Sequence, residues 1–348
     1  MSRGAGVRPF RDVTARRPPC GEREISTFTV SDLLERHWLP TQEFRNLKPS
    51  TLAQYRTVVS AWILPHLGDL DVSALTPATV RDLLVQLRTT TTSTGRAGLS
   101  TRSLQLTVGV LKAACAFGVE TGLFERNPIG VVRRPRPEER TPTTWTVDEA
   151  RRFLASVATD PLAALWALLF TRGLRRGEAA GLRWRDVDLE QGTIRIVHTL
   201  IVVDGRVQES TPKTTHGRRT VPLDTFLIAL LHARRRAQED DRAHAGGAWM
   251  ASDYVFTNGV GQRLAPDGIR IRFQKLADAV GLPRIRVHDA RHSAASMMLA
   301  SGVHPKVVQE LLGHSHVDIT LGLYGHVTPS MGRQAGEALS SRLLGPTP

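Results

Sequence analysis

A short basic segment interrupted by prolines constrains the fold more than any other feature of this sequence. Residues 133–137 read Arg-Arg-Pro-Arg-Pro. A proline inside a helix removes a backbone hydrogen bond and disfavours helical geometry in the residue before it, so a helix is not expected to run through this stretch. The sequence therefore predicts two folded domains joined by a linker at residues 127–144, with a flexible basic arm, residues 1–26, ahead of the first.

Residues 27–126 carry helix start signals followed by helically spaced apolar residues. Thr76-Pro77 is typical of a helix N-terminus, because a capping threonine precedes a proline at the first helical position. Thr51 and Gln54 are spaced as a capping box. Ser100 begins a segment with apolar positions four, three and four residues apart: Leu104, Val108, Leu111 and Cys115. We therefore predict a helical domain of about 100 residues.

Residues 145–348 combine helical periods with strand signals. Thr146 and Glu149 are spaced as another capping box. Residues 193–203, rich in Ile and Val, predict one strand, Asp204-Gly205 a tight turn, and residues 206–208 the returning strand. Residues 220–223 predict a third short strand. The fold class that follows is mainly α, with a small antiparallel β-sheet in the second domain.

The charge balance limits the classes of partner. The chain of 348 residues has 46 Lys and Arg against 33 Asp and Glu, a formal net charge of +13. Arginine predominates among the basic residues, and its planar guanidinium binds phosphate oxygens through two donors at once. A polyanion is the natural partner, and nucleic acid is the commonest one.

Several other classes lose their sequence support. There is no Gly-Lys pair for a Walker loop, no dinucleotide-binding glycine fingerprint and no Gly-x-Ser-x-Gly elbow. The longest apolar run, residues 162–170, is too short to cross a bilayer, so we expect no membrane partner. Cys20 and Cys115 do not make a disulfide framework, and a reducing, cytoplasmic location fits.

Four segments remain that could carry chemistry. They are Gly-Leu-Arg-Arg-Gly-Glu at 173–178, Pro-Lys-Thr at 212–214, His-Asp-Ala-Arg-His at 288–292, and Leu-Gly-His at 312–314 with Tyr324 ten residues after His314. In this order and spacing they resemble the motifs of the tyrosine recombinases, the phage integrase family. The helical module resembles that family's SAM-like core-binding domain through Lys-Pro-Ser-Thr-Leu at 48–52 and Leu-Pro-His-Leu-Gly at 64–68. The resemblance covers about nine tenths of the chain.

The resemblance implies a role for each matching residue in DNA strand transfer. Arg175 and Arg291 would hold the scissile phosphate, and His314 would donate a hydrogen bond to it. Tyr324 would attack and form a 3′-phosphotyrosine link. His288 would take part in proton transfer, and Lys213 would protonate the departing 5′-oxygen as general acid. Glu178 resembles the family's acidic supporting residue.

The same resemblance implies the partners. No cofactor or metal is expected, since the covalent link stores the energy of the broken phosphodiester and rejoining needs no ATP. The expected partner is double-stranded DNA bearing a specific recombination site, bound by a homotetramer. Accessory DNA-bending or directionality factors can accompany it. His292 is expected to make a structural hydrogen bond, and His316 and His326 to be peripheral.

Three alternatives stay open at this point. His288 and His292 are four residues apart, as in zinc proteases, and His314 could be a third ligand, although Asp289 stands where those enzymes have Glu. A non-catalytic DNA-binding relative would keep the fold. Within the recombinases, integration or excision of a mobile element competes with Xer-like resolution of chromosome dimers.

Overall fold

The structure, a computed structural model, describes residues 28–45, 47–90, 95, 97–136, 143–212 and 215–315, together with residues 337, 340, 341 and 343. The chain divides into two compact units, Met1–Pro137 and Glu138–Pro348. The predicted arm at residues 1–26 lies outside the described residues, and the predicted domain limits stay a prediction. None of the described helices is long and apolar enough to cross a membrane.

The described part of the first unit is helical. A π-helical stretch, Asp32–Trp38, continues into α1 (Leu39–Phe44), and α2 (Pro49–Thr57) continues through a second π-helical stretch, Val58–Ile63, into α3 (Leu64–Leu67). A 3₁₀ turn, Val72–Ala74, precedes α4 (Pro77–Thr89) and α5 (Thr101–Glu120). Helical backbone hydrogen bonding thus covers most of the described part of this unit.

The helix starts predicted for α4 and α5 are confirmed, whereas the start predicted for α2 is wrong. The Thr76 hydroxyl accepts the backbone N–H of Thr79 at 3.3 Å, and the Ser100 hydroxyl accepts that of Ser103 at 3.1 Å. The capping box expected at Thr51 does not form, because α2 begins two residues earlier at Pro49. Proline fits the first helical position, where its missing N–H costs no hydrogen bond.

The first unit has its own apolar core. The predicted core cysteine, Cys115, is buried in it together with Trp38 and Leu111. Ile129 and Val132, which belong to the segment expected as a linker, also pack into this core. The chain therefore keeps contact with the first unit for some residues after α5 ends.

The second unit places helices around small sheets. Its elements in chain order are α6 (Val147–Ser156), α7 (Ala163–Thr171), α8 (Arg176–Ala180), β1 (Val187–Asp188), β2 (Thr193–Ile196), β3 (Thr199–Val203), β4 (Arg206–Ser210), β5 (Arg219–Pro222), α9 (Thr225–Ala245), α10 (Pro266–Ala279), α11 (Val287–Ala300) and α12 (Pro305–Leu312). Thr146 and Glu149 form the predicted capping box at the start of α6. Short 3₁₀ turns stand at Trp184–Asp186, Thr215–Gly217 and Gly246–Ala248.

Aromatic side chains fill the centre of the second core. Trp145 stacks on Phe170 with ring centroids 5.1 Å apart, and Phe153 meets the edge of Phe273 at 5.3 Å. The Trp145 indole donates to the Pro283 carbonyl at 2.8 Å, so its polar atom is satisfied. These contacts join α6, α7 and α10, the framework that supports α8 and α11.

The strands of the described second unit form two antiparallel sheets, ordered β1-β2-β5 and β3-β4. The expected turn at Asp204-Gly205 is confirmed, with φ of 50° and 72°, the geometry that matches hairpin twist. The single strand expected at residues 193–203 is wrong, because it divides into β2 and β3 with different partners. Ile and Val favour a strand on both sides of the break but do not specify a pairing partner.

The aromatic core yields a stability prediction. Phe153→Ala should lower the free energy of unfolding of the second unit by about 3–5 kcal/mol, because the ring is fully buried and its removal leaves a cavity. Phe226→Ala, at a position 57% exposed in α9, is the matched control and should change it by about 0.5 kcal/mol or less. Guanidinium denaturation followed by near-ultraviolet circular dichroism measures both, and equal losses would contradict this core assignment.

Candidate active site

The first part of the site stands at the start of α8. Arg175 immediately precedes the helix, and its backbone N–H donates to the Glu178 carboxylate at 2.9 Å. Its guanidinium Nη1 donates to the same carboxylate at 2.6 Å, while 39% of the side chain stays exposed. A carboxylate in the first turn of a helix satisfies a free N–H and favours the positive end of the helix dipole. The local sequence Arg-Arg-Gly-Glu therefore fixes the Arg175 side chain.

Glu178 is a buried charge with two arginine partners. It is 2% exposed, and the Arg219 guanidinium donates to both of its oxygens, at 3.2 and 2.9 Å. Burial by itself raises the pKa of a carboxyl group, but the charges and hydrogen bonds of Arg219 and Arg175 outweigh it, so the pKa of Glu178 is lowered. Glu178 therefore stays ionised and holds both guanidiniums in place.

Arg291, on α11, is the buried cation of the site. It is 3% exposed and donates to the carbonyls of Gly173, at 2.7 Å, and Leu312. Gly173 has φ of 59°, and a Cβ there would meet a Leu312 methyl at 2.3 Å, so this approach requires glycine. Burial, together with the charge of Arg175, lowers the pKa of Arg291. A guanidinium keeps its proton in proteins, so the site retains a cation that an anion would stabilise.

Three consecutive carbonyls at the C-terminal end of α12 each accept an arginine. The Leu311 carbonyl accepts Arg219 Nε at 2.7 Å, that of Leu312 accepts Arg291, and that of Gly313 accepts Arg175 Nη2 at 3.3 Å. The last carbonyls of a helix have no partner within it and form the negative end of the helix dipole. The end of α12 therefore brings together arginines that are far apart in the sequence.

Gly313 makes this geometry accessible. It ends α12 in the left-handed conformation, with φ of 66°. A Cβ at Gly313 would stand 2.7 Å from the His216 carbonyl oxygen and 3.1 Å from Arg219 Cδ. Glycine is required here for both reasons, since other residues rarely adopt this conformation and none would fit the space.

His314 follows Gly313 and is buried beside the arginines. Its backbone is held on both sides by Gln309, whose carbonyl accepts the His314 N–H and whose amide donates to the His314 carbonyl, each at 3.1 Å. Burial, then the charges of Arg291 and Arg175, lower the pKa of His314 to about 3. The imidazole is therefore neutral at physiological pH and keeps one N–H donor.

His288 and His292 lie one turn apart on α11. Their rings meet edge to face, with centroids 5.0 Å apart. His288 is exposed, yet the protein around its imidazole and the neighbouring His292 and Arg291 lower its pKa, which favours the neutral, proton-accepting form. The hydrogen bond expected for His292 is not observed at Nδ1, which is buried without a partner among the described residues.

The hairpin β3-β4 is tied to the body of the second unit at Glu209. The Glu209 carboxylate accepts hydrogen bonds from the Tyr254 hydroxyl and the Arg183 guanidinium, and Arg263 donates to the Val207 carbonyl at 2.9 Å. Hydrogen bonds from Tyr254 and Arg183 lower the pKa of Glu209. Lys213 follows the end of β4, at Ser210, by three positions in the sequence. Lys213 itself, like Tyr324, lies outside the described residues.

The structure thus brings Arg175, Glu178, Arg291 and His314 around the end of α12, with His288 on the same helix as Arg291. The sequence pattern did not single out Arg219 as a site residue. Arg219 directly precedes the segment expected as a strand, residues 220–223, and is 41 residues from Glu178. A buried arginine has no local sequence signature that separates it from an exposed one. With three guanidiniums against one carboxylate, these described residues carry an excess of positive charge.

The zinc-protease alternative requires a set of metal ligands, and the described part of the chain contains none. Within it, no group of three or more His, Cys, Asp or Glu side chains is placed to hold a metal ion. His288 and His292 share a helix face, as their spacing predicts, but have no third ligand there.

Comparison with family models identifies both parts of the chain. Residues 144–331, more than half of the chain, match the model of the phage integrase family. Residues 29–87 match the phage integrase N-terminal SAM-like domain. The chain is 32% identical to tyrosine recombinase XerC of Xanthomonas campestris pv. campestris, over 81% of this chain and 80% of the relative. It is 32% identical to XerD of Mycobacterium leprae, over 79% and 86%, and 26% identical to the ICEBs1 integrase of Bacillus subtilis, over 85% and 79%.

Solved structures agree on the fold. The Tn1549 transposon integrase in complex with transposon right end DNA has a TM-score of 0.72 at 20% identity and covers 90% of this chain and 99% of that one. A lambda integrase dimer bound to a COC′ core site has a TM-score of 0.63 at 16% identity, over 85% and 95%. The chain therefore belongs to the phage integrase family of tyrosine-type site-specific recombinases, enzymes of DNA recombination, and the expected combination of SAM-like and catalytic domains is confirmed.

The lowered pKa of His314 yields a prediction about stability and pH. Because the folded pKa is about 3 against an ordinary value of 6.5, protons favour the unfolded chain between those values. The stabilising contribution is complete above pH 6.5 and is lost as the pH falls, by up to about 1.4 kcal/mol per pH unit for one group. His314→Gln should therefore make the free energy of unfolding fall less steeply between pH 6.5 and pH 4.5.

Denaturation of the wild type and the variant across this pH range measures the two slopes. His232→Gln, on the exposed face of α9, is the matched control. A wild-type slope in His314→Gln would contradict the prediction, because it would show that folding does not lower the pKa of His314.

Proposed function

We propose that this recombinase cleaves and rejoins DNA through a covalent 3′-phosphotyrosine at Tyr324. The Tyr324 oxygen attacks the scissile phosphorus, the bond to the 5′-oxygen breaks, and Lys213 gives that oxygen its proton. In rejoining, a 5′-hydroxyl attacks the phosphotyrosine and releases the tyrosine. The observation that supports this most strongly is the convergence of Arg175, Arg291 and His314 at the end of α12.

The arginines would act on the phosphate. The two non-bridging oxygens carry negative charge that grows in the transition state, and preorganised donors stabilise it without moving. Arg175 is partly exposed and held on its inner side by Glu178, so its outer face is available to a ligand. Arg291 is buried next to it and has only carbonyl oxygens as its described hydrogen-bond partners, which leaves its charge available to a phosphate.

The histidines would act in their neutral forms. Because its pKa is low, the His314 imidazole stays neutral. It would donate its one N–H to a non-bridging oxygen without adding a positive charge to the site. The lowered pKa of His288 keeps its imidazole unprotonated near neutral pH, which is the form that can accept the tyrosine proton. A tyrosine hydroxyl has an ordinary pKa of about 10, so an acceptor and a cationic surrounding are both needed near neutral pH.

We propose integration or excision of a phage or other mobile element as the biological reaction. Integrases occur among the relatives, including the ICEBs1 integrase and a prophage integrase of Mycobacterium tuberculosis, each matched over 85% of this chain. The second candidate is Xer-like resolution of chromosome dimers. It is favoured by the higher identity, 32%, to relatives named XerC and XerD. Sequencing the junction DNA on both sides of the gene distinguishes them, since an integrated element has repeated ends.

The assembly proposed for the reaction is a homotetramer on two DNA duplexes. A lambda integrase tetramer bound to a Holliday junction has a TM-score of 0.61 with this chain. Accessory DNA-bending or directionality factors would set the direction of the reaction.

The nucleophile can be tested completely, because the sequence has three tyrosines, Tyr55, Tyr254 and Tyr324. Tyr324→Phe should abolish the covalent complex on a nicked duplex, since it lacks the attacking oxygen, while DNA binding persists. The duplex is first obtained by selecting bound sites from a random-sequence pool. Denaturing gel electrophoresis detects the complex, and mass spectrometry of the DNA-linked peptide identifies the residue.

Tyr55→Phe and Tyr254→Phe are the matched controls, and both should still form the complex. Tyr254 has a structural contact to Glu209, so its variant is compared at equal folded fraction. Covalent trapping by Tyr324→Phe, or its loss in Tyr55→Phe alone, would assign the reaction to another residue. Strong chelators should leave the wild-type reaction unchanged.

A further inference from the structure

Arg219 is a buried arginine with no outward-facing role. Its side chain is 6% exposed at the start of β5. Nε donates to the Leu311 carbonyl at 2.7 Å, Nη1 to Glu178 and the Gly217 carbonyl at 3.2 Å each, and Nη2 to Glu178 at 2.9 Å. Every nitrogen thus has a partner inside the protein, and these bonds use four of the five N–H donors of the guanidinium.

The carboxylate that Arg219 binds is the one that orients Arg175. Glu178 uses Oε1 for Arg175 Nη1, at 2.6 Å, and Oε2 for the Arg175 backbone N–H, at 2.9 Å. Arg219 donates to both oxygens and so fixes the plane of the carboxylate. A lysine has one compact ammonium group and cannot reproduce this fork, even though it keeps the charge.

Arg219 also holds the end of α12, which precedes His314. Its Nε fixes the Leu311 carbonyl, and its Cδ lies 3.1 Å from where a Cβ of Gly313 would stand. The left-handed turn at Gly313 therefore packs directly on the Arg219 side chain. The Arg219 side chain thus contacts both Glu178, which holds Arg175, and the end of α12, which precedes His314.

We propose that Arg219 is a positioning residue for strand cleavage, acting through Glu178 on Arg175 and through the end of α12 on His314. The inference rests on the proposed function for these two residues. It assigns Arg219 to the transition-state geometry and not to DNA affinity. Misplacing a group by about 1 Å can slow a reaction about 100-fold, so loss of the fork should be visible in the rate.

The test compares Arg219→Lys with Arg234→Lys in the full-length protein. Arg234 is the matched control, because it is 2% exposed and donates to the carbonyls of Val255, at 3.0 Å, and Thr257, at 3.3 Å, without contacting Glu178. We measure thermal unfolding, affinity for the selected duplex, and the single-turnover rate of covalent complex formation at saturating protein.

Arg219→Lys should bind DNA like the wild type and form the complex about 10- to 100-fold more slowly. Arg234→Lys should lose similar thermal stability and keep the wild-type rate at equal folded fraction. In a Glu178→Gln background, Arg219→Lys should add little to the slowing, because both changes break one chain of contacts.

A wild-type rate in Arg219→Lys, an equal slowing in Arg234→Lys, or independent, multiplying effects in the double variant would each overturn the positioning role. Weakened DNA binding with an unchanged rate at saturation would do the same and would make Arg219 a binding residue. Failure of the wild type to form any covalent complex through Tyr324 would instead reject the proposed function, and the inference with it.

Discussion

The buried carboxylate of Glu178 is the interaction on which the rest of the site depends. A charge removed from water is tolerated in a protein interior only when it is paired and hydrogen-bonded, and removing a partner leaves a penalty of about 3–5 kcal/mol. Glu178 meets this requirement with Arg219 on one side and Arg175 on the other. The need to neutralise one anion therefore fixes two cations, of which only Arg175 faces outward.

The backbone supplies the second half of the arrangement. Helix ends leave carbonyls unsatisfied, and buried ones need donors. In α12 these carbonyls take Arg219, Arg291 and Arg175 in consecutive order. The need of the helix-end carbonyls for donors thus brings together arginines from three separate segments. A carbonyl group is a dipole without net charge, so it does not neutralise a guanidinium as a carboxylate would.

The sequence was informative where contacts are local. Thr76, Ser100 and Thr146 marked helix starts through hydrogen bonds to residues three positions away. At Thr51 the prediction was wrong, because the nearby Pro49 supplied a stronger start signal. Arg175 and Glu178 are also three residues apart, so their pairing was within reach of sequence reasoning. Partner choice across long separations was not, which is why the β2-β3 break and the contact from Arg219 to Glu178 emerged only from the structure.

Gly313 has a consequence for how this enzyme can change. Its left-handed backbone conformation and its lack of a side chain position two groups. One is the Gly313 carbonyl, which accepts a hydrogen bond from Arg175, and the other is the next residue, His314. A substitution at Gly313 would displace both groups at once. Natural variation at this position therefore cannot weaken the contact with Arg175 and leave His314 in place. Small changes in activity therefore have to arise from substitutions in the surrounding packing, whereas a substitution of Gly313 itself disrupts the site.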